Sequence, residues 1–225
     1  MVPWKNIETV FLDMDGTLLD LRFDNEFWRE YVPQCYAKKH GLDVRVAKAQ
    51  LFPRYQSVEG TIDWYCVDYW SRELALDISA LKRELEHLIA LHPYALRFLA
   101  ALRDARKNVL LVTNAHSKSL ALKLTRTGLG AFLDGIICAH DFGIPKEHLD
   151  FWSHLQDRQA FEPHQTLLVD DSLSVLRSAR AYGIAYLLSI YQPDSQGPLR
   201  EGSEFPMVRS FAELLPLSLF DAPGP

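Results

Sequence analysis

One stretch near the N-terminus decides the fold: Ile7-Glu8-Thr9-Val10-Phe11-Leu12-Asp13-Met14-Asp15-Gly16-Thr17. Its mostly apolar first half predicts a buried strand, and two aspartates stand directly after that strand. Ionised carboxylates are disfavoured beside a low-dielectric core, so an acidic pair in this place indicates chemistry. The plain alternative is an acidic turn without a function, because Asp-Gly pairs are common in turns.

The chemistry that this stretch suggests is phosphoryl transfer. Asp13 would attack phosphorus and become an aspartyl-phosphate. Asp15, two residues further on, would pass a proton to and from the leaving oxygen. Gly16 allows the backbone to turn without a Cβ atom, and Thr17 is expected to close the turn with a hydrogen bond.

The segment after Thr17 is predicted to be a helical insertion. Its aromatic residues recur at intervals of three and four, which is the spacing of one helix face. The predicted helices include Phe23 to Tyr31, Val44 to about Leu51 (stopped by Pro53), Thr61 to Leu74, Asp77 or Ser79 to about Leu91, and Tyr94 to Arg106.

From Asn108 onward, predicted strands and helices alternate. The predicted strands are Val109–Val112, Gly135–Cys138, Thr166–Val169 and Ile184–Ile190, with helices from Ser117, after Lys146 and from Leu173 to Tyr182. Such alternation predicts an α/β fold, a Rossmann-like doubly wound parallel sheet covered by helices on both faces. The loop 192–206 and the tail 221–225 are expected to be loosely ordered.

Polar residues follow the predicted strands at their carboxyl ends, where open parallel sheets bind ligands. Asp13 and Asp15 follow the first strand, and Asp170-Asp171 follow the fourth. The other polar residues of this set are Thr113, Asn114 and Lys146. Each has an ordinary reading by itself, as a helix cap or a surface charge, but together they predict one site.

Charge suggests what each residue of this site would do. Asp13 must approach a phosphate dianion while it is itself negative, so a cation has to offset the repulsion. Magnesium fits oxygen ligands best, with the carboxylates of Asp13, Asp170 and Asp171 and the backbone carbonyl of Asp15 as its expected ligands. The remaining candidates, Lys146, Thr113 and Asn114, are expected to bind the phosphate oxygens, and Lys146 also to hold Asp13.

Bulk composition limits the other possibilities. The 225 residues are 48% hydrophobic and 24% charged, as in ordinary globular proteins, and the net charge of −5 argues against a nucleic-acid polymer as partner. Cys35, Cys66 and Cys138 show no pairing or zinc spacing and are expected to be small buried residues. No signal peptide or membrane span is recognisable, so the expected location is the cytoplasm.

The sequence resembles the haloacid dehalogenase-like (HAD) phosphohydrolase superfamily. Its motifs match Asp13-Met14-Asp15-Gly16-Thr17, Thr113, Lys146 and Asp170-Asp171, and the resemblance covers the whole chain. The superfamily's fourth motif commonly carries a further acid about four positions on, which is absent at 174 and 175 here. In that alignment Asp171 is the main metal ligand, and Asp170 is an additional or more distant one.

The resemblance also implies how the chain is divided and what it acts on. The insertion resembles a C1-type cap, with the core at 1–20 and 92–225 and the cap at 21–91. The phrases that resemble bacterial GMP/IMP-type purine 5′-nucleotidases are Leu21–Trp28, Asp63–Ser71, Thr113–His116 and Phe142–Glu147. These phrases imply a small phosphomonoester substrate, while the oligomeric state and the preferred base stay open.

Several residues and functions keep two interpretations. Phe27, Trp64 and Trp70 are expected to be core residues, whereas Trp28 and Tyr65 are candidates for stacking on a base. His116 is either solvated or in contact with substrate. The alternatives to a nucleotidase are a small sugar-phosphate or phosphoglycolate phosphatase, a phosphomutase, a dehalogenase and a non-catalytic binding protein.

Overall fold

The computed structural model describes residues 2–217, and the expected loose tail at 221–225 lies outside them. Its centre is one six-stranded sheet of order β3-β2-β1-β4-β5-β6, in which every neighbouring pair is parallel. The strands are β1 (Thr9–Leu12), β2 (Asn108–Thr113), β3 (Gly135–Cys138), β4 (Thr166–Asp170), β5 (Tyr186–Ile190) and β6 (Met207–Val208). The predicted doubly wound fold is confirmed, and β6 is an addition that the sequence did not reveal.

Strand β1 lies in the middle of the sheet and organises both of its faces. Val10 and Leu12 pack into one apolar cluster, while Phe11 between them packs into the cluster on the opposite face. This alternation is the two-residue period of a strand that is buried on both sides. The chain continues to β2 and β3 on one side of β1 and then returns to β4 on the other, so the ends of β1 and β4 are adjacent.

Helices cover the two faces of this sheet. Those that pack on the face of Val10 and Leu12 are α7 (Ala95–Asp104) and α8 (Ser117–Thr127). On the face of Phe11 lie α9 (Leu149–Arg158) and α10 (Leu173–Tyr182), the second of which has the predicted bounds. Lys146 precedes α9 by three residues, so it lies in the turn before that helix and not inside it.

The inserted helices enclose an apolar cluster of their own. They are α1 (Arg22–Glu26), a π-helical turn (Phe27–Tyr31), α2 (Val32–His40), α3 (Val44–Val58), α4 (Ile62–Tyr65), α5 (Val67–Leu74) and α6 (Ile78–Glu84). Phe27, Leu51, Tyr55 and Trp70 are buried in this cluster. The helical cap is confirmed, whereas its boundaries at 21 and 91 stay a prediction.

Three helix predictions in the cap were wrong, two at an end of the helix and one in its middle. Helix α3 continues through Pro53, because Leu51 and Tyr55 on either side are buried in the cap cluster and hold the helix together despite the missing N–H. The predicted helix from Thr61 to Leu74 is broken at Cys66, which has extended backbone. The next helix ends at Glu84, and a 3-10 turn at Glu86–Leu88 follows.

The two linkers between the cap and the core run side by side under one loop. The N–H of His92 donates to the Leu18 carbonyl at 2.9 Å, and that of Asp20 donates to Ala90 at 2.9 Å. Pro193 O accepts a hydrogen bond from Leu21 N–H at 2.9 Å. The loop 192–206, which was expected to be loosely ordered, is therefore hydrogen-bonded to the linker at Leu21. Within residues 2–217, no helix is both long and apolar enough to span a bilayer.

Candidate active site

The buried centre of the site joins Asp13 to Lys146. The Lys146 ammonium donates to Asp13 Oδ1 at 2.6 Å, Asp170 Oδ2 at 2.7 Å and the Val112 carbonyl at 3.0 Å, and all three charged side chains are buried. Burial lowers the pKa of Lys146, but the two carboxylates outweigh that effect and raise it. This lysine is therefore a fixed positive charge between the ends of β1 and β4.

Asp171 completes an acidic cluster with Asp13 and Asp170. The carboxylates of these residues each offer an oxygen within 4.8 Å of the others. Burial, followed by the neighbouring charges of Asp13 and Asp170, raises the pKa of Asp171 well above its usual value. Burial also raises the pKa of Asp13 to about 6, against the opposing effect of Lys146. The cluster thus carries more negative charge than its lysine compensates.

Gly16 permits Asp171 to approach the motif turn. Gly16 has φ +83°, and a Cβ atom there would lie 2.7 Å from Asp171 Oδ2 and 3.1 Å from Pro193 Cβ. A larger residue would therefore be strained and would push Asp171 away. The hydrogen bond expected from Thr17 was a wrong prediction, since its buried Oγ1 has no hydrogen-bond partner among the described residues. The turn closes through its backbone instead, with Gly16 N–H donating to Leu19 O at 2.7 Å.

Asp15 belongs to a different ionic network, which extends into the cap. Lys123 of α8 donates to Asp15 Oδ1 at 2.7 Å and to Asp24 Oδ2 at 2.6 Å. Lys82 of α6 donates to the other oxygen of Asp24 at 2.8 Å. Both lysines are buried. The sequence analysis missed this network, although a lysine three residues after Leu120 on the buried face of α8 is a signal that could have pointed to it.

The two aspartates of the motif consequently have different partners. Burial, then the charges of Asp24 and Asp13, raise the pKa of Asp15 to about 6, while Lys123 opposes them. Asp24 is half-buried, and Lys123 and Lys82 outweigh its desolvation and hold its pKa far below the usual range. Asp15 can therefore exchange a proton near neutral pH, whereas Asp24 stays ionised.

Thr113 and Asn114 lie where the sequence predicts them, directly after β2. Thr113 Oγ1 accepts the Ala115 N–H at 3.0 Å. Asn114 Oδ1 accepts the backbone N–H of Lys146 at 2.9 Å, and its Nδ2 donates to Glu147 Oε2 at 2.9 Å. The Asn114 side chain thus fixes the turn that carries Lys146.

A cavity of about 720 Å³ extends from the acidic cluster into the cap. Asp15 and Asp171 lie at its floor, and half-buried aromatic side chains contribute to its walls. The lining residues that bear on recognition are Asn25, Trp28, Arg29, Trp64, Tyr65 and His116. A cavity with polar groups at one end and aromatic walls suits a molecule with an anionic end and a flat apolar part.

The predicted division of the aromatic residues holds in part. Phe27 and Trp70 are buried in the cap cluster, as expected. Trp64 is half-buried and packs against that cluster, and Trp64 and Trp70 both line the cavity. Trp28 reaches the cavity with its ring packed edge to face on Tyr55 at 5.8 Å. Tyr65 also lines the cavity, but its hydroxyl donates to Glu147 Oε1 of the core at 2.6 Å.

The donor set fits a hard divalent cation. Asp13, Asp170 and Asp171 supply carboxylate oxygens, the ligands that Mg²⁺ prefers. Burial raises the pKa of each of these carboxyl groups, and a bound cation would favour their ionised forms. Both oxygens of Asp170 are already engaged, by Lys146 and by the Ser172 N–H at 2.8 Å. Asp171 is therefore the freer ligand of the pair.

Comparison with known proteins agrees with this geometry. The haloacid dehalogenase-like hydrolase family matches residues 7–183. The GMP/IMP nucleotidase YrfG of Escherichia coli (strain K12) is 39% identical over 215 residues, which cover 96% of this chain and 97% of that protein. The protein of the same name from Shigella flexneri gives the same values, 39% identity over 96% of this chain and 97% of its own.

Solved structures share the fold at lower identity. A HAD phosphatase from Thermococcus onnurineus superposes with a TM-score of 0.76 at 23% identity, covering 92% of this chain and 96% of its own. YfnB from Bacillus subtilis, a HAD hydrolase solved bound to magnesium, has a TM-score of 0.64 at 20% identity, with 92% and 96% covered. With the matched family and the extensive identity to a nucleotidase, the chain belongs to the haloacid dehalogenase-like hydrolase family and is a phosphatase.

Proposed function

We propose that this phosphatase hydrolyses nucleoside 5′-monophosphates, with GMP and IMP preferred, through an aspartyl-phosphate on Asp13 and with Mg²⁺ as cofactor. The observation that carries the chemistry is the pair of acids two residues apart with separate partners, Lys146 for Asp13 and Lys123 for Asp15. The 39% identity to a GMP/IMP nucleotidase and the aromatic cavity support the substrate. The proposed core is 1–20 and 92–225, and the proposed cap is 21–91.

The first half-reaction forms the phospho-enzyme. An Asp13 oxygen attacks phosphorus while the ester bond to the nucleoside O5′ breaks, and Asp15 gives that oxygen its proton. The Thr113 hydroxyl, the Asn114 backbone N–H and the Lys146 ammonium would bind the phosphate oxygens. The pKa of about 6 suits Asp15 to this proton transfer near neutral pH.

In the second half-reaction water attacks the phosphorus of the aspartyl-phosphate, and Asp15 accepts its proton. Inorganic phosphate leaves, and Asp13 is regenerated as a carboxylate. Asp13, the Asp15 carbonyl and Asp171 would hold Mg²⁺, with Asp170 in support through Lys146. The ion supplies positive charge that offsets the repulsion between the Asp13 carboxylate and the phosphate dianion.

The cavity supports a nucleotide as substrate. Its volume of about 720 Å³ leaves room for a nucleotide, and Trp28, Tyr65 and His116 line its walls. Trp28 and Tyr65 are the proposed contacts of the base, because every base offers a flat face for stacking. Asp15 argues against dehalogenation, which has no leaving alkoxide to protonate.

A screen of phosphate release across nucleotides and sugar phosphates tests this proposal. We expect the highest kcat/KM for GMP and IMP, and comparable values for glucose 6-phosphate would contradict a nucleotidase. EDTA should abolish turnover, and Asp13→Asn should do so for every substrate. Asp157→Asn, at an exposed position on α9, is the control. Asp171→Asn should raise the Mg²⁺ concentration required more than Asp170→Asn does.

A further inference from the structure

A second cluster of potential metal ligands joins the cap to the core behind the cavity wall. It consists of Cys66, His116 and His140, whose ligand atoms all lie within 4.8 Å of one another. Cys66 occupies the break between α4 and α5 of the cap. His116 precedes α8, and His140 lies in the 3-10 turn after β3, so both histidines belong to the core. The phosphatase chemistry proposed above uses neither Cys66 nor His140.

His140 has a buried ring nitrogen that is available to a metal ion. Its Nε2 atom has no hydrogen-bond partner among residues 2–217. Burial lowers the pKa of His140, against the opposing effect of the Asn114 backbone, and so favours the neutral imidazole. The neutral imidazole, which carries a lone pair on one nitrogen, is the form that binds a metal ion. A buried polar atom without a partner is otherwise costly.

The other two side chains need only small movements. The His116 ring meets the His140 ring edge to face with centroids 4.9 Å apart. The hydrogen bond that His116 Nδ1 accepts from Lys118 N–H is long, at 3.3 Å, and Cys66 Sγ likewise accepts Tyr69 N–H at 3.3 Å. Tetrahedral zinc geometry places ligand atoms about 3.3–3.6 Å apart, so these atoms would have to approach one another by at most about 1.5 Å.

We propose that Cys66, His116 and His140 bind a transition-metal ion of the Zn²⁺ class, separate from the Mg²⁺ site, and that this ion fastens the cap to the core. One thiolate and two imidazoles are ligands for Zn²⁺ and Co²⁺, whereas Mg²⁺ prefers the oxygens of the aspartate cluster. Asp68 Oδ2 lies 3.7 Å from His116 Nε2 and adds a carboxylate next to the site.

Cobalt spectroscopy tests the site without measuring turnover. Metal-stripped protein in excess Mg²⁺ is titrated with Co²⁺, and we expect one equivalent to produce a thiolate-to-cobalt charge-transfer band with intense tetrahedral d–d bands. Zn²⁺ should remove both. Cys66→Ser, whose hydroxyl can still accept the Tyr69 N–H, should lose the charge-transfer band, while Cys35→Ser should keep it. His140→Ala should weaken Co²⁺ binding at least about tenfold.

The contrary result is equally distinct. Weak octahedral bands alone, or a charge-transfer band that persists in folded Cys66→Ser, would overturn the proposal, whether or not the protein is a nucleotidase. Circular dichroism and a thermal melt establish that each variant is folded. If the bound ion holds the cap against the core, Zn²⁺ should slow backbone hydrogen exchange in residues 62–74 of the native protein. Equal slowing in Cys66→Ser would show that the ion acts elsewhere.

Discussion

At the scale of the residue, the motif Asp13-Met14-Asp15 gains its chemistry from two different lysines. Lys146 holds Asp13 with a buried charge at 2.6 Å, which keeps the carboxylate oriented at the crevice. Lys123 contacts Asp15 at 2.7 Å, yet burial and nearby acids still raise the pKa of Asp15 to about 6. The pKa of Asp13 is also raised to about 6, so the two acids differ in their partners and positions, and not in their pKa values.

Asp15→Asn should slow phospho-enzyme formation far more from GMP than from p-nitrophenyl phosphate. The ribose alkoxide needs a proton in order to leave, and general acid catalysis typically contributes about 10²–10⁴-fold, whereas p-nitrophenolate leaves without much help. The measurement is the single-turnover burst of leaving group, because loss of the base in the second half-reaction lowers kcat for both substrates. An equal reduction of both bursts would remove Asp15 from the acid role.

Gly16→Ala should weaken Mg²⁺ binding as well as stability, and Gly128→Ala separates the two effects. Both glycines have positive φ, +83° and +69°, but a Cβ atom at Gly16 meets Asp171 whereas none lies within 4 Å at Gly128. Each change should cost roughly 1–2 kcal/mol in the free energy of unfolding. Only Gly16→Ala should also raise the apparent Kd for Mg²⁺, measured by calorimetry. Unchanged Mg²⁺ affinity would show that Asp171 is not displaced.

At the scale of the element, the core could be read from the sequence more fully than the cap. Five strands and helix α10 follow from apolar runs and polar ends, because a parallel sheet buries whole runs. The two-residue strand β6 is too short for such a pattern. In the cap, the effects of Pro53 and Cys66 on the helices were predicted wrongly. Tertiary packing outweighs local helix preference at these residues, and a sequence pattern carries no information about that packing.

For the candidate site, the sequence pattern predicted the residues at strand ends but not the ion pairs between separate elements. The motif aspartates, Thr113 and Asn114 lie at the ends of predicted strands, since parallel strands bring their carboxyl ends together, and Lys146 reaches them from the turn before α9. Lys123, Asp24 and Lys82 were missed because their partnership joins α8 of the core to α1 and α6 of the cap. The packing of separate elements against each other determines such contacts, and the residue spacing within one element does not predict which residues will meet.

Lys123→Met should move the pH dependence of the burst to higher pH. The burst requires protonated Asp15, so it declines as the pH rises through the pKa of Asp15, which is about 6. Removing the positive charge at 2.7 Å favours the protonated form, and the decline should shift upward by about one to three pH units. Lys82→Met, which removes a charge that contacts Asp24 but not Asp15, is the control and should shift it less. If the pH dependence of the burst did not shift in Lys123→Met, Lys123 would have no influence on proton transfer by Asp15.

At the scale of the whole molecule, the acidic cluster should link stability to pH and metal. The pKa of Asp13 and that of Asp15 are raised from 3.8 to about 6 in the folded protein. Between about pH 3.8 and pH 6 the folded state therefore binds more protons than the unfolded state, so the free energy of unfolding falls as the pH rises across this range. In EDTA, the Tm should be lower at about pH 7.5 than at about pH 5.

Mg²⁺ should reverse this loss, because a bound cation offsets the repulsion that the ionised carboxylates create. The increase in Tm on adding Mg²⁺ should be larger at about pH 7.5 than at about pH 5. Asp171→Asn leaves one fewer ionisable carboxylate and should show both a smaller pH effect and a smaller Mg²⁺ effect. An identical increase at both pH values would exclude the cluster as the source.

The cap and the core are also joined by hydrogen bonds that run to the site. The Tyr65 hydroxyl of the cap donates to Glu147 at 2.6 Å, Glu147 accepts from Asn114 at 2.9 Å, and Asn114 accepts the Lys146 N–H at 2.9 Å. Contact between the cap and the core is thereby connected to the turn that positions Lys146. This connection gives Tyr65 a role that does not depend on which base the cavity holds.

Tyr65→Phe separates this connection from base stacking, because it keeps the ring and removes the hydroxyl. A hydrogen bond to a charged group contributes roughly 1.5–3 kcal/mol, so the closed cap should be destabilised by about that amount for every substrate. We expect kcat/KM to fall by a similar factor, on the order of tenfold or more, for GMP and for p-nitrophenyl phosphate. Trp28→Leu, which removes a wall of the cavity, should instead lower kcat/KM for GMP alone. A loss confined to GMP in Tyr65→Phe would place the hydroxyl on the nucleotide and not between cap and core.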